Sequence, residues 1–331
     1  MNSSSMQAAV LENYGAPFSI GEIPRPAPRP GEVLVRIVAS GVNPLDTKIH
    51  QGQAAHARHP LPAILGIDLA GVIESVGEGV ARFKPGDEVY GMTGGVGAVP
   101  GSLAQFAAVD ADLLALKPAN LSLREAAAVP LVFITAWEGL VDRAKVHPGQ
   151  RVLAQGGAGG VGRMAIQIAR ARGAEVYATD GLAKHEALRH LGAVPIDRND
   201  EVADYVARHT DGRGFDLVYD CVGGAVLDAS FAAVRRFGHV VSCLGWGSHA
   251  LAPLSFKAAT YSGVFTLLPL LTGEGRAHHG DILRYATRLI EAGQVAPFVD
   301  PQRFVLETIE DAYRALADRK AFGKLVVDIA D

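Results

Sequence analysis

The segment Gln155-Gly-Gly-Ala-Gly-Gly-Val-Gly162 constrains this chain more than any other. It contains Gly157-x-Gly159-x-x-Gly162, preceded by the strand-like run Arg151-Val-Leu-Ala-Gln155 and followed by residues with helical periodicity. Val161, Met164, Ala165, Ile168 and Ala169 share one helical face. Glycines at these spacings allow a tight turn, close approach of backbone to a pyrophosphate, and helix–strand packing. Gly157, Ala158, Gly159, Gly160, Val161 and Gly162 are thus candidate contacts for an anion held by backbone N–H groups at a positive helix end. In a chain with 38 glycines the motif alone is weak, and the strand–turn–helix context gives it force.

The alternation continues downstream. Glu175–Thr179, Val194–Ile196, Phe215–Asp220 and Gly238–Leu244 read as strands, with helices at Lys184–Leu191 and Glu201–His209. Such a series makes a parallel sheet covered by helices. Asp180 stands near the place where an acid would hold the ribose hydroxyls of NAD, whereas Lys184 would suit the 2′-phosphate of NADP. The residues alone leave that choice open. Thr179 and Asp180 at the second strand's end, and Leu244 and Gly245 at the fifth's, join the glycine loop as candidate cofactor contacts.

The flanks differ. Val33–Ala39, Leu69–Val76, Glu88–Tyr90 and Ala104–Val109 are short strand-like runs punctuated by Gly and Pro, as in a sandwich or partial barrel. Leu123–Ala127 and Ala136–Val141 read as helical. Beyond Gly245, Ser262–Leu268 suits an edge strand, Ile282–Ala292 and Thr308–Asp318 helices, and Lys324–Ile329 a closing strand. The expected fold class is α/β: a doubly wound parallel nucleotide-binding sheet inserted into a β-rich domain. The boundaries are 1–128, 129–268 and 269–331, the last returning to the first domain.

The chain's 331 residues suit about two domains. A net charge of -4, with no basic run, argues against nucleic acid as a partner. Met1–Met6 has neither the basic nor the apolar region of a secretory signal and reads as a frayed extension. The longest apolar run, Val129–Ala136, is too short to span a bilayer. A cytoplasmic location is expected. Cys221 and Cys243 allow one disulfide arithmetically, but both sit in apolar, strand-like segments of a chain large enough not to need one. Buried, reduced thiols are expected.

Taken together, the segments resemble the zinc-free quinone oxidoreductase branch of the medium-chain dehydrogenase/reductase superfamily. Gly41-Val-Asn-Pro-Leu-Asp46 is similar to the family's G-V-N-x-x-D. Pro62–Gly71 resembles P-x-x-x-G-x-D/E-x-x-G, and Pro85–Val89, Leu131–Trp137, Gly157–Gly162 and Gly323-Lys324 follow in family order. The resemblance implies a cofactor between a GroES-like and a Rossmann domain. It implies no metal, because zinc alcohol dehydrogenases place Cys where this chain has Asn43, and His-Glu where it has Ile67-Asp68. They place a further Cys near Leu131, and Met92–Ser102 lacks the cysteines of a structural zinc lobe. His50, His56 and His59 read as surface loop residues. In this branch a Lys at the Lys184 position commonly meets the 2′-phosphate, and Arg198 replaces a Tyr at the adenosine end. The resemblance therefore favours NADPH, with NADH as the alternative, and Lys324 joins the cofactor set.

Without zinc, an electron-poor acceptor is easier to serve than an alcohol. The expected reaction is hydride transfer from NADPH to a quinone or other electron-poor carbonyl. The rival expectations are a 2-alkenal or enoyl reductase and a non-catalytic NADPH-binding protein. Asn43 is expected to donate toward nicotinamide or acceptor oxygen, Thr135 to contact the cofactor, and Asp46 to fix the Asn43 loop. Asn43 also reads as a plain turn former before Pro44, and Trp246 equally as a pocket wall or core. Lys48 and His50 stand where relatives often carry a Tyr, so no proton donor is named. Edge pairing through Ser262–Leu268 would give a homodimer.

Overall fold

The computed structural model describes residues 4–330. Met1–Ser3 of the supposed N-terminal extension lie outside the described residues, but Ser5 and Met6 begin the strand Ser5–Leu11. Ser5 and Met6 therefore do not belong to a frayed extension, because Met6 finds a buried place against Ala8 and Ala104. The chain forms two compact units. One is the continuous segment Val132–Thr266, and the other combines the residues up to Leu131 with those from Leu267 onward.

The Val132–Thr266 unit carries a six-stranded parallel sheet. Its elements are β1 (Arg151–Gln155), α1 (Gly160–Ala171), β2 (Glu175–Asp180), α2 (His185–His190), β3 (Val194–Asp197), α3 (Val202–Thr210), β4 (Phe215–Asp220), α4 (Ala225–Ala233), β5 (Val234–Ser242) and β6 (Thr260–Gly263). The strand order is 3-2-1-4-5-6, with register pairs such as Ala178↔Ala154 and Tyr219↔Ala154. This order reverses direction beside β1, which makes the carboxyl end of β1 the switch point where ligands bind. Leu153, Val218 and Val240 lie in a buried cluster with Phe215, Phe231 and Tyr205. Strands apolar on both faces are what a helix-covered parallel sheet requires.

The other unit holds a seven-stranded, mostly antiparallel sheet and a three-stranded one. The strand Glu32–Gly41 is central, pairing with Asp68–Val76, with Phe106–Asp110 and with the closing strand Val326–Asp328. Val33, Val35, Ile37, Leu69 and Ile73 form its core. The helix Pro44–His50 starts at Asn43, which is thus a helix N-cap rather than a loop residue.

Several expectations need correction. The edge strand is Thr260–Gly263, not Ser262–Leu268, because Pro269 seeds a helix at Leu268–Thr272. Helix α4 was not anticipated at all. The fifth strand ends at Ser242, so Leu244 lies beyond it. Residues Pro130–Trp137 are α-helical and continue as a π-helix over Glu138–Arg143, where the sequence suggested one helix from Ala136 to Val141. The π-turn puts Gly139 against Tyr219, whose ring carbon would lie 2.7 Å from an added Cβ. His59 is buried, its Nδ1 2.5 Å from the Gly97 carbonyl, and so is not a surface loop residue. Trp246 is 53% exposed, which rules out the core reading. Among the described residues no helix is long and apolar enough to cross a membrane.

Candidate active site

The glycine loop lies at the carboxyl end of β1, and two of its glycines, Gly157 and Gly162, are sterically required. A Cβ on Gly162 would sit 2.3 Å from the Gly156 carbonyl oxygen, and one on Gly157 would sit 2.6 Å from the Ala178 Cβ. Gly156 has φ +71°. Gly159 caps α1 with no side-chain hydrogen bond. The first N–H groups of α1 therefore have no intrahelical or side-chain acceptor, the condition that draws an anion. Side chains at these positions would fill the cradle, so the residues present fit a dinucleotide pyrophosphate.

The carboxyl end of β2 is more crowded than the sequence suggested. Asp180 turns back onto the loop: one carboxylate oxygen accepts the Ala158 N–H at 2.9 Å, the other the Gly181 N–H at 2.9 Å. Arg198 lies beside Gly181, its N–H donating to the Asp180 carbonyl at 3.0 Å. Lys184 ends a 3-10 turn that begins just after Gly181, and α2 starts only at His185. Arg163, which sequence reasoning missed, donates from Nε to the Ala158 carbonyl at 3.0 Å. Burial holds its guanidinium below the ordinary arginine range, while Asp180 pulls it back up. The available signal was a cation directly after the last glycine of the motif. Thr179 faces inward, donating to Gln155 Oε1 at 2.6 Å and accepting from Gly156 N. It shapes the loop from beneath.

Leu244 and Gly245 follow β5 at the same edge of the sheet. A Cβ on Gly245 would lie 2.2 Å from the Tyr261 hydroxyl, so a side chain there would have to displace that ring. The Thr135 hydroxyl shares a hydrogen bond with Thr266 at 3.0 Å, and its carbonyl accepts the Tyr219 hydroxyl at 2.6 Å.

The other unit contains a buried polar cluster. Asn43 is fully buried, donating from Nδ2 to Asp68 at 3.0 Å while its Oδ1 accepts from the Lys324 ammonium. Lys324 also pairs with Asp68 at 3.4 Å. The second Asp68 oxygen accepts the Leu131 N–H at 2.8 Å. Asp46 accepts the Asn43 N–H at 2.7 Å. Lys324, grouped by sequence with the cofactor contacts, is thus tied to Asn43 and Asp68. Asp68 was missed as a site residue, although its place in P-x-x-x-G-x-D was the signal. Two carboxylates face one ammonium here, so their charges do not balance. Burial, reinforced by Asp68, pushes the Asp46 carboxyl up to about 7. Burial raises Asp68 too and lowers Lys324. Asp46 Oδ1 and the Tyr313 hydroxyl are buried without a hydrogen-bond partner. Among the described residues no group of three or more His, Cys, Asp or Glu side chains is placed to hold a metal ion.

A glycine cradle at a switch point, in a unit inserted into a β-rich one, defines a dinucleotide-binding protein. The comparisons narrow the class. The Alcohol dehydrogenase GroES-like domain family matches residues 29–119, and the Zinc-binding dehydrogenase family matches residues 191–327. The chain is 35% identical to the NADPH-dependent alkenal/one oxidoreductase, chloroplastic, of Arabidopsis thaliana, over 97% of this chain and 79% of that one. It is 35% identical to the 2-methylene-furan-3-one reductase of Solanum lycopersicum, over 98% and 79%. The crystal structure of an alcohol dehydrogenase superfamily protein from Novosphingobium aromaticivorans superposes with a TM-score of 0.97 at 59% identity, covering 98% of this chain and all of that one. This chain belongs to the medium-chain dehydrogenase/reductase superfamily.

Proposed function

We propose that this protein reduces the carbon–carbon double bond of α,β-unsaturated carbonyl compounds with NADPH. The near full-length similarity to an alkenal/one oxidoreductase and a methylene-furanone reductase carries this reading. When bound, NADPH supplies a hydride to the electron-poor carbon, and a proton then completes the product at the neighbouring carbon. The chain's part is to hold the pyrophosphate on the α1 amides and to neutralise the 2′-phosphate with Arg163, Lys184 and Arg198. Asp180, whose oxygens both accept backbone N–H groups, repels that phosphate, and the three cations offset the repulsion. Asn43 keeps a second amide hydrogen for the acceptor oxygen, and Lys324 and Asp68 fix its orientation. Asp46, its carboxyl pushed up to about 7 by burial, carries only part of a negative charge at neutral pH and so limits the cluster's excess. Thr135 joins this set as a cofactor contact.

Quinone reduction is the second reading, favoured by the quinone oxidoreductase motifs of the sequence. A stopped-flow panel of alkenals, enones and quinones, each with NADPH and NADH, separates the two. We expect enones with NADPH to give the highest kcat/KM. Faster turnover of quinones would transfer the assignment, and inertness toward every acceptor would leave a binding protein.

We also propose a homodimer through β6, whose outer edge has no neighbour in the sheet. Edges of this kind recruit a second chain. Sedimentation equilibrium should return twice the 34.7 kDa chain mass, and a monomer at all concentrations would refute the dimer.

A further inference from the structure

The chain's two cysteines are 22 residues apart in sequence, yet they meet. Strands β4 and β5 pair in parallel, and Asp220↔Ser242 is their last register pair. Cys221 and Cys243 each lie one residue beyond it. Both are free and half-buried, and they stand side by side at the next position of the parallel register. The Cys243 N–H donates to the Asp220 carbonyl at 3.2 Å. Neighbouring strands run about 4.8 Å apart, which falls within the roughly 4.4–6.8 Å Cα spacing of disulfides.

The surroundings give this pair a consequence. Cys221 N–H donates to the Gln155 carbonyl at 3.3 Å, at the root of the glycine loop. Val222 packs on Gly156, its methyl 2.7 Å from where a Cβ would stand. Cys243 directly precedes Leu244 and Gly245. Gly223 lies against Leu244, whose carbonyl oxygen would be 2.5 Å from an added Cβ. Asp220 ties both segments together, accepting N–H groups from Val222 and Gly223 and the hydroxyl of Ser242.

We propose that Cys221 and Cys243 form a peroxide-sensitive dithiol whose oxidation to a disulfide weakens dinucleotide binding by displacing Leu244 and Gly245. In the first step one thiolate attacks a hydroperoxide oxygen; the O–O bond breaks, giving a sulfenic acid and, after protonation, an alcohol or water. In the second the other sulfur attacks the sulfenic sulfur, the S–S bond forms, and hydroxide leaves as water. Two thiols are oxidised by two electrons and one hydroperoxide is reduced. A covalent bond between the two sulfurs draws the two segments together. The Cys221 thiol is held up by its contact with Cys243 and by burial, with Asp220 adding to both. Since the thiolate is the nucleophile, the pair responds to sustained rather than brief oxidant exposure.

The dinucleotide part rests on the proposed NADPH site, so the experiment reads the two separately. The full chain is treated with hydrogen peroxide, then examined by intact mass under non-reducing conditions and by NADPH fluorescence titration. We expect a loss of two hydrogens, reversed by dithiothreitol, and at least a tenfold weaker NADPH affinity in the oxidised form. Cys221→Ser and Cys243→Ser should each bind NADPH as the reduced protein does and be insensitive to peroxide in that titration. Absence of the disulfide overturns the proposal, and so does a disulfide that leaves affinity unchanged. Failure of the reduced protein to bind NADPH would sink the cofactor reading and the gating with it, while the mass still decides the dithiol.

Discussion

Asp46 shows how much a single buried carboxyl can report. Its acid is raised to about 7 by burial and by Asp68, so the folded state holds a proton that the unfolded chain releases near 4. The folded protein binds more protons between these values, and stability must fall as pH rises through that window. The contribution is complete below about 4 and gone above about 7. Asp46→Asn removes the titration while keeping an oxygen for the Asn43 N–H. Urea unfolding from pH 5 to 8 should therefore show a flatter profile in the variant, with a slope difference approaching about 1.4 kcal/mol per pH unit. Parallel profiles would disprove the assignment. At the other site, Arg198→Ala should raise the KM for NADPH about tenfold to a hundredfold, from the loss of a charge-assisted hydrogen bond of about 1.5–3 kcal/mol. The KM for NADH should stay put; an equal loss for both cofactors would remove Arg198 from the 2′-phosphate. The sequence exposed the glycine loop because its residue type is dictated by backbone geometry. It hid Arg163 and the inward turn of Asp180, because those depend on which way a side chain points after folding.

Among the elements, the strands of the nucleotide unit were readable where both faces are buried, as in β1 and β4. Helix α4 was not, since Ala225–Ala233 is apolar around most of its circumference and starts at Gly224 with φ 56°. No periodic stripe marks such a segment. The start of β5 was hidden for the opposite reason: Arg235, Arg236 and the positive-φ Phe237 do not look like a buried strand. Lys257 explains how α4 ends. Its ammonium donates to the carbonyls of Phe231 at 3.1 Å and Val234 at 2.7 Å, meeting the negative end of the helix. Burial lowers its pKa. Lys257→Met keeps the stem and removes the charge, and should cost about 1–2 kcal/mol by the helix-end effect. The measurement is chemical denaturation at pH 7. A cost near zero would mean that water replaces the ammonium at no penalty.

The connectivity of the whole chain separates binding from turnover. Val132–Thr266 is one uninterrupted stretch with its own core, whereas the other unit is completed only when the C-terminal strand returns. That strand pairs Val326 with Gly41 and Asp328 with Ala39, and just before it Lys324 reaches Asn43 and Asp68. The order of motifs along the sequence made this insertion legible, but the register of the return and the ammonium it delivers were not, because they are long-range contacts. Ending the chain after Gly323 removes the strand and the cation paired with the Asn43–Asp68–Asp46 cluster. Breaking such a buried pair leaves an uncompensated charge and typically costs about 3–5 kcal/mol. NADPH should then still quench or shift its fluorescence on the truncated chain with affinity within a few-fold of the full chain, while enone reduction should fall at least a hundredfold, which corresponds to about 2.7 kcal/mol of transition-state stabilisation. Lys324→Met in the full chain, which keeps the strand, should reproduce most of the loss in kcat with little change in NADPH affinity. If Lys324→Met turns over normally, the ammonium is not needed to hold Asn43, and the truncation would then act through the lost strand alone.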